Sequence, residues 1–274
     1  LRQYSYLQTT LIAELAEELS LFLGVASLCD SLESRGFPTA PPELLLAEGP
    51  HPSATLRGLY ALSLPDAAGV QEVVRNDYLL EEGDALLILT GPNSGGKTTY
   101  LRAVAQAQFL AQHGFPVPAE EAVLPVVPGI LSLFAAGDLP QATAEGRLAQ
   151  ELRQLSEMVG EAPAGGLYFF NEAFSSTGTD DALEIAETVI RGLVDSGARL
   201  LFATHLHDLA GKRAELADAF DRAEVVNLVA RTDGDRPTFR IDRGEPEGRS
   251  YATRLVREYG LDYDSLSRRL RRDG

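Results

Sequence analysis

Leucines recur every four residues at Leu7, Leu11, Leu15, Leu19 and Leu23, with Glu14, Glu17 and Glu18 between them. A narrow apolar stripe on a mostly polar rod predicts one long helix over residues 4–35. Pro38, Pro41 and Pro42 end the pattern. The helix reads either as a packing helix at a domain edge or as the stump of a lever leading to a domain outside this chain.

After Glu43 the pattern changes. The apolar run 85–90 follows the turn signal Gly83-Asp84 and predicts a buried strand. A glycine-rich loop comes next, then helical stretches over 98–113 and 144–160. Residues 166–170 predict a second buried strand, 180–196 a helix, and 199–203 a third strand. Continuous apolar strands alternating with helices predict an α/β fold, with a mostly parallel sheet covered on both faces and the long helix at the N-terminus. Shorter β-like runs at 224–230 and 237–241, joined through Asp233-Gly234, predict a hairpin. A last helix is expected over 250–259. No internal repeat is visible.

The chain has 274 residues, 45% of them hydrophobic and 23% charged, an ordinary globular mixture that excludes disordered and collagen-like architectures. Its one cysteine, Cys29, excludes an intrachain disulfide and a multi-cysteine zinc site. That suits a reducing compartment, so a cytoplasmic setting is expected. The apolar stretches are far shorter than the roughly 20 residues that span a bilayer, and no membrane partner is expected. The chain opens on Leu1 rather than methionine and reads as a piece of something longer. With 24 basic and 40 acidic residues the net charge is −16. Such a chain repels nucleic acid in bulk. Any DNA role then belongs to other domains or to a local basic patch such as Arg268-Arg-Leu-Arg-Arg272, whose first reading is a solvated terminal helix and whose second is a nucleic-acid or partner contact.

Only Lys97 and Lys212 are lysines, and Lys97 stands where chemistry needs it. Gly91-Pro92-Asn93-Ser94-Gly95-Gly96-Lys97-Thr98 fits the phosphate-loop pattern G-x-x-x-x-G-K-[ST], between a predicted strand and a predicted helix. The glycines let successive N–H groups face a phosphate, and the helix N-terminus adds a positive field. In this frame Lys97 reaches the β- and γ-phosphates of ATP and the Thr98 hydroxyl is a magnesium ligand. The second strand ends in Asn171-Glu172. Glu172 is the candidate base that polarises the attacking water. Asn171 stands where an acidic residue would hold Mg2+ through water, and its amide brings no charge. His205 ends the third strand and is placed to contact the γ-phosphate or the lytic water, with His207 as competitor.

ABC-type ATPases share the loop, the glutamate and the histidine, but their Leu-Ser-Gly-Gly-Gln segment is absent here. Instead Ser175-Ser176-Thr177-Gly-Thr-Asp-Asp-Ala182 follows the glutamate. With residues 91–99 (ending in Thr99) and Ala203-Thr-His205, this resembles the ATPase domain of the MutS family, the mismatch-recognition ATPases of DNA repair. His51-Pro52 and Arg249-Ser-Tyr-Ala252 support it. The resemblance covers roughly residues 45–260 and implies a P-loop NTPase of ABC/MutS-like type. Asn76, in Val74-Arg-Asn-Asp77, falls where the family contacts adenine. Gly146-Arg-Leu-Ala-Gln-Glu151 resembles the subunit-crossing signature, with Gly146 in place of its serine and Arg147 as a substitute contact. Ser175, Ser176 and Thr177 would face the interface. The family usually has Asp-Glu at Asn171-Glu172, so the branch is divergent.

The resemblance implies ATP/ADP and Mg2+ as cofactors, a head-to-tail homodimer around two composite sites, and coupling to DNA bound by domains outside this chain. It divides the chain into a helical connector (1–42), an ATPase domain (43–260) and a basic tail (261–274). A nucleotide-gated scaffold that hydrolyses slowly because of Asn171 is the alternative. An ABC-type motor is the third reading.

Overall fold

The computed structural model describes residues 2–46, 49–67, 72–134, 146–161, 163–220, 223–234, 236–245 and 259–270. The chain divides into two compact units, one of residues 1–47, 53–80 and 102–126, the other of residues 48–52, 81–101 and 127–274.

The first unit holds helix α1 (Arg2–Ser34) and a four-stranded sheet. Its strands β1 (Glu43–Leu45), β2 (Ala54–Leu59), β3 (Asn76–Leu80) and β5 (Glu121–Pro125) lie in the order β1-β5-β2-β3. Three of the four have five residues or more, and the hydrophobic pattern had shown none of them. In β2 the inward alternation is broken by a bulge between Leu56 and Leu59. Gly58 sits there at φ 61 and donates its N–H to Asp77 Oδ1 at 2.9 Å. On α1, Leu15, Leu19 and Leu23 are exposed, and the Phe22 ring meets Phe115 edge-on at 5.7 Å.

The second unit is a six-stranded sheet. Its strands are β4 (Asp84–Thr90), β6 (Ile130–Phe134), β7 (Leu167–Asn171), β8 (Arg199–Ala203), β9 (Glu224–Asp233) and β10 (Arg236–Arg243). They lie in the order β10-β9-β4-β8-β7-β6. β9, β4, β8, β7 and β6 run parallel, and β10 returns antiparallel on β9 as the expected hairpin. Every residue of β4 and β8 is buried, which is why both read as unbroken apolar runs rather than alternations. α2 (Lys97–Gln112) starts in this unit and continues into the first. α3 (Arg147–Glu161), α4 (Thr179–Asp195), α5 (His207–Gly211), α6 (Arg213–Asp218) and α7 (Tyr263–Leu270) complete it.

One face of the core packs Tyr168, Phe170 and Phe202 with Ile190 and Leu193 of α4. Phe170 meets Phe202 at 5.7 Å and Phe174 at 6.4 Å, both edge-on, the geometry aromatic quadrupoles favour. The helix expected over 250–259 and the Arg249-Ser-Tyr-Ala252 segment fall outside the described residues, apart from Tyr259. Residues 271–272 of the basic run do so as well. Among the described residues no helix is long and apolar enough to cross a membrane.

Candidate functional site

β4 ends at Thr90 and α2 starts at Lys97, so residues 91–96 form the link. Gly91 and Gly96 take φ 138 and φ 91, and Ser94 takes φ 64. The loop is seated on β9. A Cβ at Gly91 would lie 2.7 Å from the Ala230 methyl and 3.0 Å from the Ala230 carbonyl oxygen, and one at Gly95 would lie 3.1 Å from the same methyl. Gly91 is thus required by packing as well as by backbone angle, and Gly95 by packing. Gly96 faces Phe239 of β10, whose ring carbon would stand 3.5 Å from a Cβ there. Asn93 and Ser94 are exposed at the tip, Pro92 and Thr99 half-buried.

Lys97 is buried, and its ammonium donates to the carbonyls of Gly91 at 2.9 Å and Pro92 at 3.0 Å. Burial pushes its pKa below the ordinary lysine range, and the Glu172 carboxylate opposes that shift. The cation and carboxylate therefore share one electrostatic environment.

β7 brings the second group. Its first four residues are buried and Asn171, at the strand end, is half-exposed. The Thr98 hydroxyl donates to Asn171 Oδ1 at 2.8 Å. Both atoms are hard oxygen donors at the head of α2, a pair suited to a cation that keeps several waters, such as magnesium. Among the described residues no group of three His, Cys, Asp or Glu side chains stands together as a metal cluster.

Glu172 follows at φ 55, its N–H donated to the Ala203 carbonyl at 2.8 Å. Its Oε1 lies 2.8 Å from His205 Nε2. His205 is presented by the turn after β8, where buried Thr204 donates its N–H to the Leu89 carbonyl and accepts from Leu206 N–H through its hydroxyl at 3.0 Å. His207, the competitor for this role, opens α5.

Lys97, Thr98, Asn171, Glu172 and His205 thus gather where β4, β7 and β8 end. Ser175 and Ser176 are exposed in the turn after Glu172, with Thr177 half-buried. Gly146 and Arg147 are exposed at the start of α3. Asn76 opens β3 in the other unit. The sequence did not point to Ala230 or Phe239, and it carried Thr204 only as the middle of Ala203-Thr-His205. An alanine inside an apolar strand looks like any core residue, and only the approach of the loop to β9 marks it.

Comparison with known proteins places this geometry in context. MutS domain V matches residues 87–260. The DNA mismatch repair protein MutS of Sorangium cellulosum (strain So ce56) is 34% identical over 262 residues, covering 93% of this chain and 27% of that protein. The protein of the same name from Lactococcus lactis subsp. lactis (strain IL1403) is 33% identical over 203 residues, covering 73% of this chain and 24% of its own length. The chain therefore spans about a quarter of the length of the curated relatives it matches.

Proposed function

The chain belongs to the MutS family through domain V, and from that premise we propose that it is a magnesium-dependent ATPase module of a DNA mismatch repair or recombination protein. The observation that carries the reading is the convergence of Lys97, the Thr98–Asn171 pair and the Glu172–His205 pair at the ends of three parallel strands. The 91–98 loop wraps the phosphates of ATP with its N–H groups, and the Lys97 ammonium exchanges two carbonyls for phosphate oxygens. Thr98 and, through water, Asn171 would hold magnesium, which would neutralise phosphate charge. Glu172 accepts the proton of the attacking water. His205 steers the Glu172 carboxylate and reads the γ-phosphate.

Two such sites would be completed across a head-to-tail homodimer, with Ser175, Ser176, Thr177, Gly146 and Arg147 toward the partner. Nucleotide state would then govern DNA bound by domains outside this chain, in the cytoplasm. A second reading rests on Asn171: an amide gives magnesium no charge, which favours an ATP-gated scaffold with slow turnover.

ATP hydrolysis against magnesium and protein concentration, beside Glu172→Gln and Asn171→Asp, tests both. Turnover that rises with protein concentration and collapses in Glu172→Gln supports the ATPase. ATP binding without turnover, gained in Asn171→Asp, supports the scaffold. Loss of both binding and turnover in folded protein refutes the nucleotide reading.

A further inference from the structure

Glu151 is a carboxylate without an obvious task. It lies one turn into α3 and is only 7% exposed. Its Oε2 accepts the backbone N–H of Phe174 at 2.8 Å. A buried carboxylate is costly unless it is hydrogen-bonded, and here the bond goes to a loop, across 23 residues of sequence.

That loop is the one that carries Glu172. Two of its residues, Glu172 at φ 55 and Phe174 at φ 64, are non-glycine residues in the left-handed region, which persist only where surrounding structure holds them. Three anchors hold the segment. The Glu172 N–H is tied to the Ala203 carbonyl of β8 at 2.8 Å. The Phe174 ring is fully buried against Phe170 of β7. The Phe174 N–H is tied to Glu151. The first two belong to the sheet. The third comes from α3, whose first turn carries Arg147.

We propose that Glu151 is a positioning residue for ATP hydrolysis: through the Phe174 N–H it fixes the left-handed turn that aims the Glu172 carboxylate, and so joins the orientation of α3 to that of the base. The proposal rests on the reading of Glu172 given above. Glu151 acts through the backbone of the turn. Its effect is on where Glu172 points. A charge-assisted hydrogen bond to a backbone amide is stronger and shorter than a neutral one, which suits a contact that must set an angle.

The test compares the intact chain with Glu151→Leu and Glu151→Gln, using steady-state ATP turnover and amide hydrogen exchange over residues 172–176. Glu151→Leu is expected to lower kcat about 10- to 100-fold, the cost of a slight misplacement of a catalytic group, with KM for ATP unchanged and faster exchange at the turn. Glu151→Gln keeps an acceptor oxygen and restores most of both. Joined to Glu172→Gln, Glu151→Leu should add no further loss, because the group it aims is already disabled. Normal turnover in Glu151→Leu, or an equal fall of Gln and Leu variants together with KM, overturns the proposal. If the unsubstituted chain and its Asn171→Asp variant both bind ATP without hydrolysing it, the Glu172 reading fails separately. Unchanged exchange at 172–176 in Glu151→Leu would still overturn the hold of Glu151 on the turn.

Discussion

Glu172→Gln separates catalysis from stability at one residue. The substitution removes the charge and the proton-accepting power and keeps the size. Its stability cost follows from exposure. The pair Glu172 Oε1–His205 Nε2 spans 2.8 Å, but the two side chains are 35% and 38% exposed. A pair that wet is worth about 0–1 kcal/mol. In a domain of this size 1 kcal/mol shifts Tm by about 2–4 °C, so Tm should fall by no more than that. The backbone anchor, Glu172 N–H to Ala203 O, is untouched, and φ 55 is no harder for Gln than for Glu. Catalysis is different. A positioned base contributes about 10²–10⁴ in rate, or about 3–5 kcal/mol of transition-state free energy, and an amide cannot replace it. The expected result is a collapse of kcat with ATP affinity retained. Single-turnover hydrolysis, equilibrium binding of a fluorescent ATP analogue and a thermal melt on the same preparation decide it. Turnover close to that of the unsubstituted chain would refute Glu172 as the base. A melt lowered far beyond the stated range would refute the argument from exposure.

Three further substitutions probe the surroundings. Asn171→Asp is expected to tighten magnesium dependence, read as a lower magnesium concentration for half-maximal turnover, because it adds a negative charge 2.8 Å from the Thr98 hydroxyl. Ala230→Leu should weaken ATP binding by at least tenfold, about 1.4 kcal/mol, since the Ala230 methyl lies so close to Gly91 that a Cβ there would stand only 2.7 Å from it; unchanged affinity would mean the loop has room. His51 is buried, with Nε2 on the Ala198 carbonyl at 3.0 Å and Nδ1 without a hydrogen-bond partner among the described residues. Burial lowers its pKa below 6.5, with the Arg199 charge acting in the same direction. The unfolded chain therefore binds the proton first, and the stability contributed by neutral His51 is complete above pH 6.5 and lost as pH falls below it. His51→Asn should melt with a smaller drop between pH 7.5 and 5.5 than the unsubstituted chain, and equal drops would refute the assignment.

The second unit was legible where its chemistry is strongest. Strands β4, β7 and β8 are apolar on both faces, so each announced itself as a run, and the run of β7 stops at Asn171 because that end is half-exposed. The hairpin was readable from Asp233-Gly234, with Gly234 at φ 59. The first sheet was not. In β3 the pattern is half-exposed, exposed, buried, exposed, buried over only five residues, and in β2 a bulge at Gly58 breaks the alternation. Short strands whose pairing is set by distant segments, such as β1 on β5, leave almost no local signal. The site divides the same way: residue types with chemistry were readable, whereas Thr204, Ala230 and the reach of Glu151 to Phe174 depend on long-range approach.

That division has a physical origin in the sheet. In a parallel sheet the chain leaves every strand at the same edge, and polar groups just past the apolar runs collect there. The loop after β4, Asn171-Glu172 after β7 and Thr204-His205 after β8 obey this, and β4 lies directly beside β8 and β9. Strand ends alone give proximity of several ångströms. Aim is set by the backbone that follows them, and there the chain holds Ser94, Glu172 and Phe174 in left-handed conformations that side chains disfavour. Such residues cost about 1–3 kcal/mol each. The contacts that offset this cost at the second and third are known: Ala203 O for Glu172, and Phe170 with Glu151 for Phe174. Relaxing the turn should therefore lower turnover even though the strain it releases, about 1–3 kcal/mol, offsets part of any packing lost with it. Phe174→Gly is the sharpest version, since glycine removes the backbone strain but also the ring, whose loss costs about 3–5 kcal/mol. Phe174→Asn tolerates the left-handed angle better than phenylalanine yet also forfeits the ring. If turnover falls in both while Glu172 and His205 are intact, aim and not proximity limits the site.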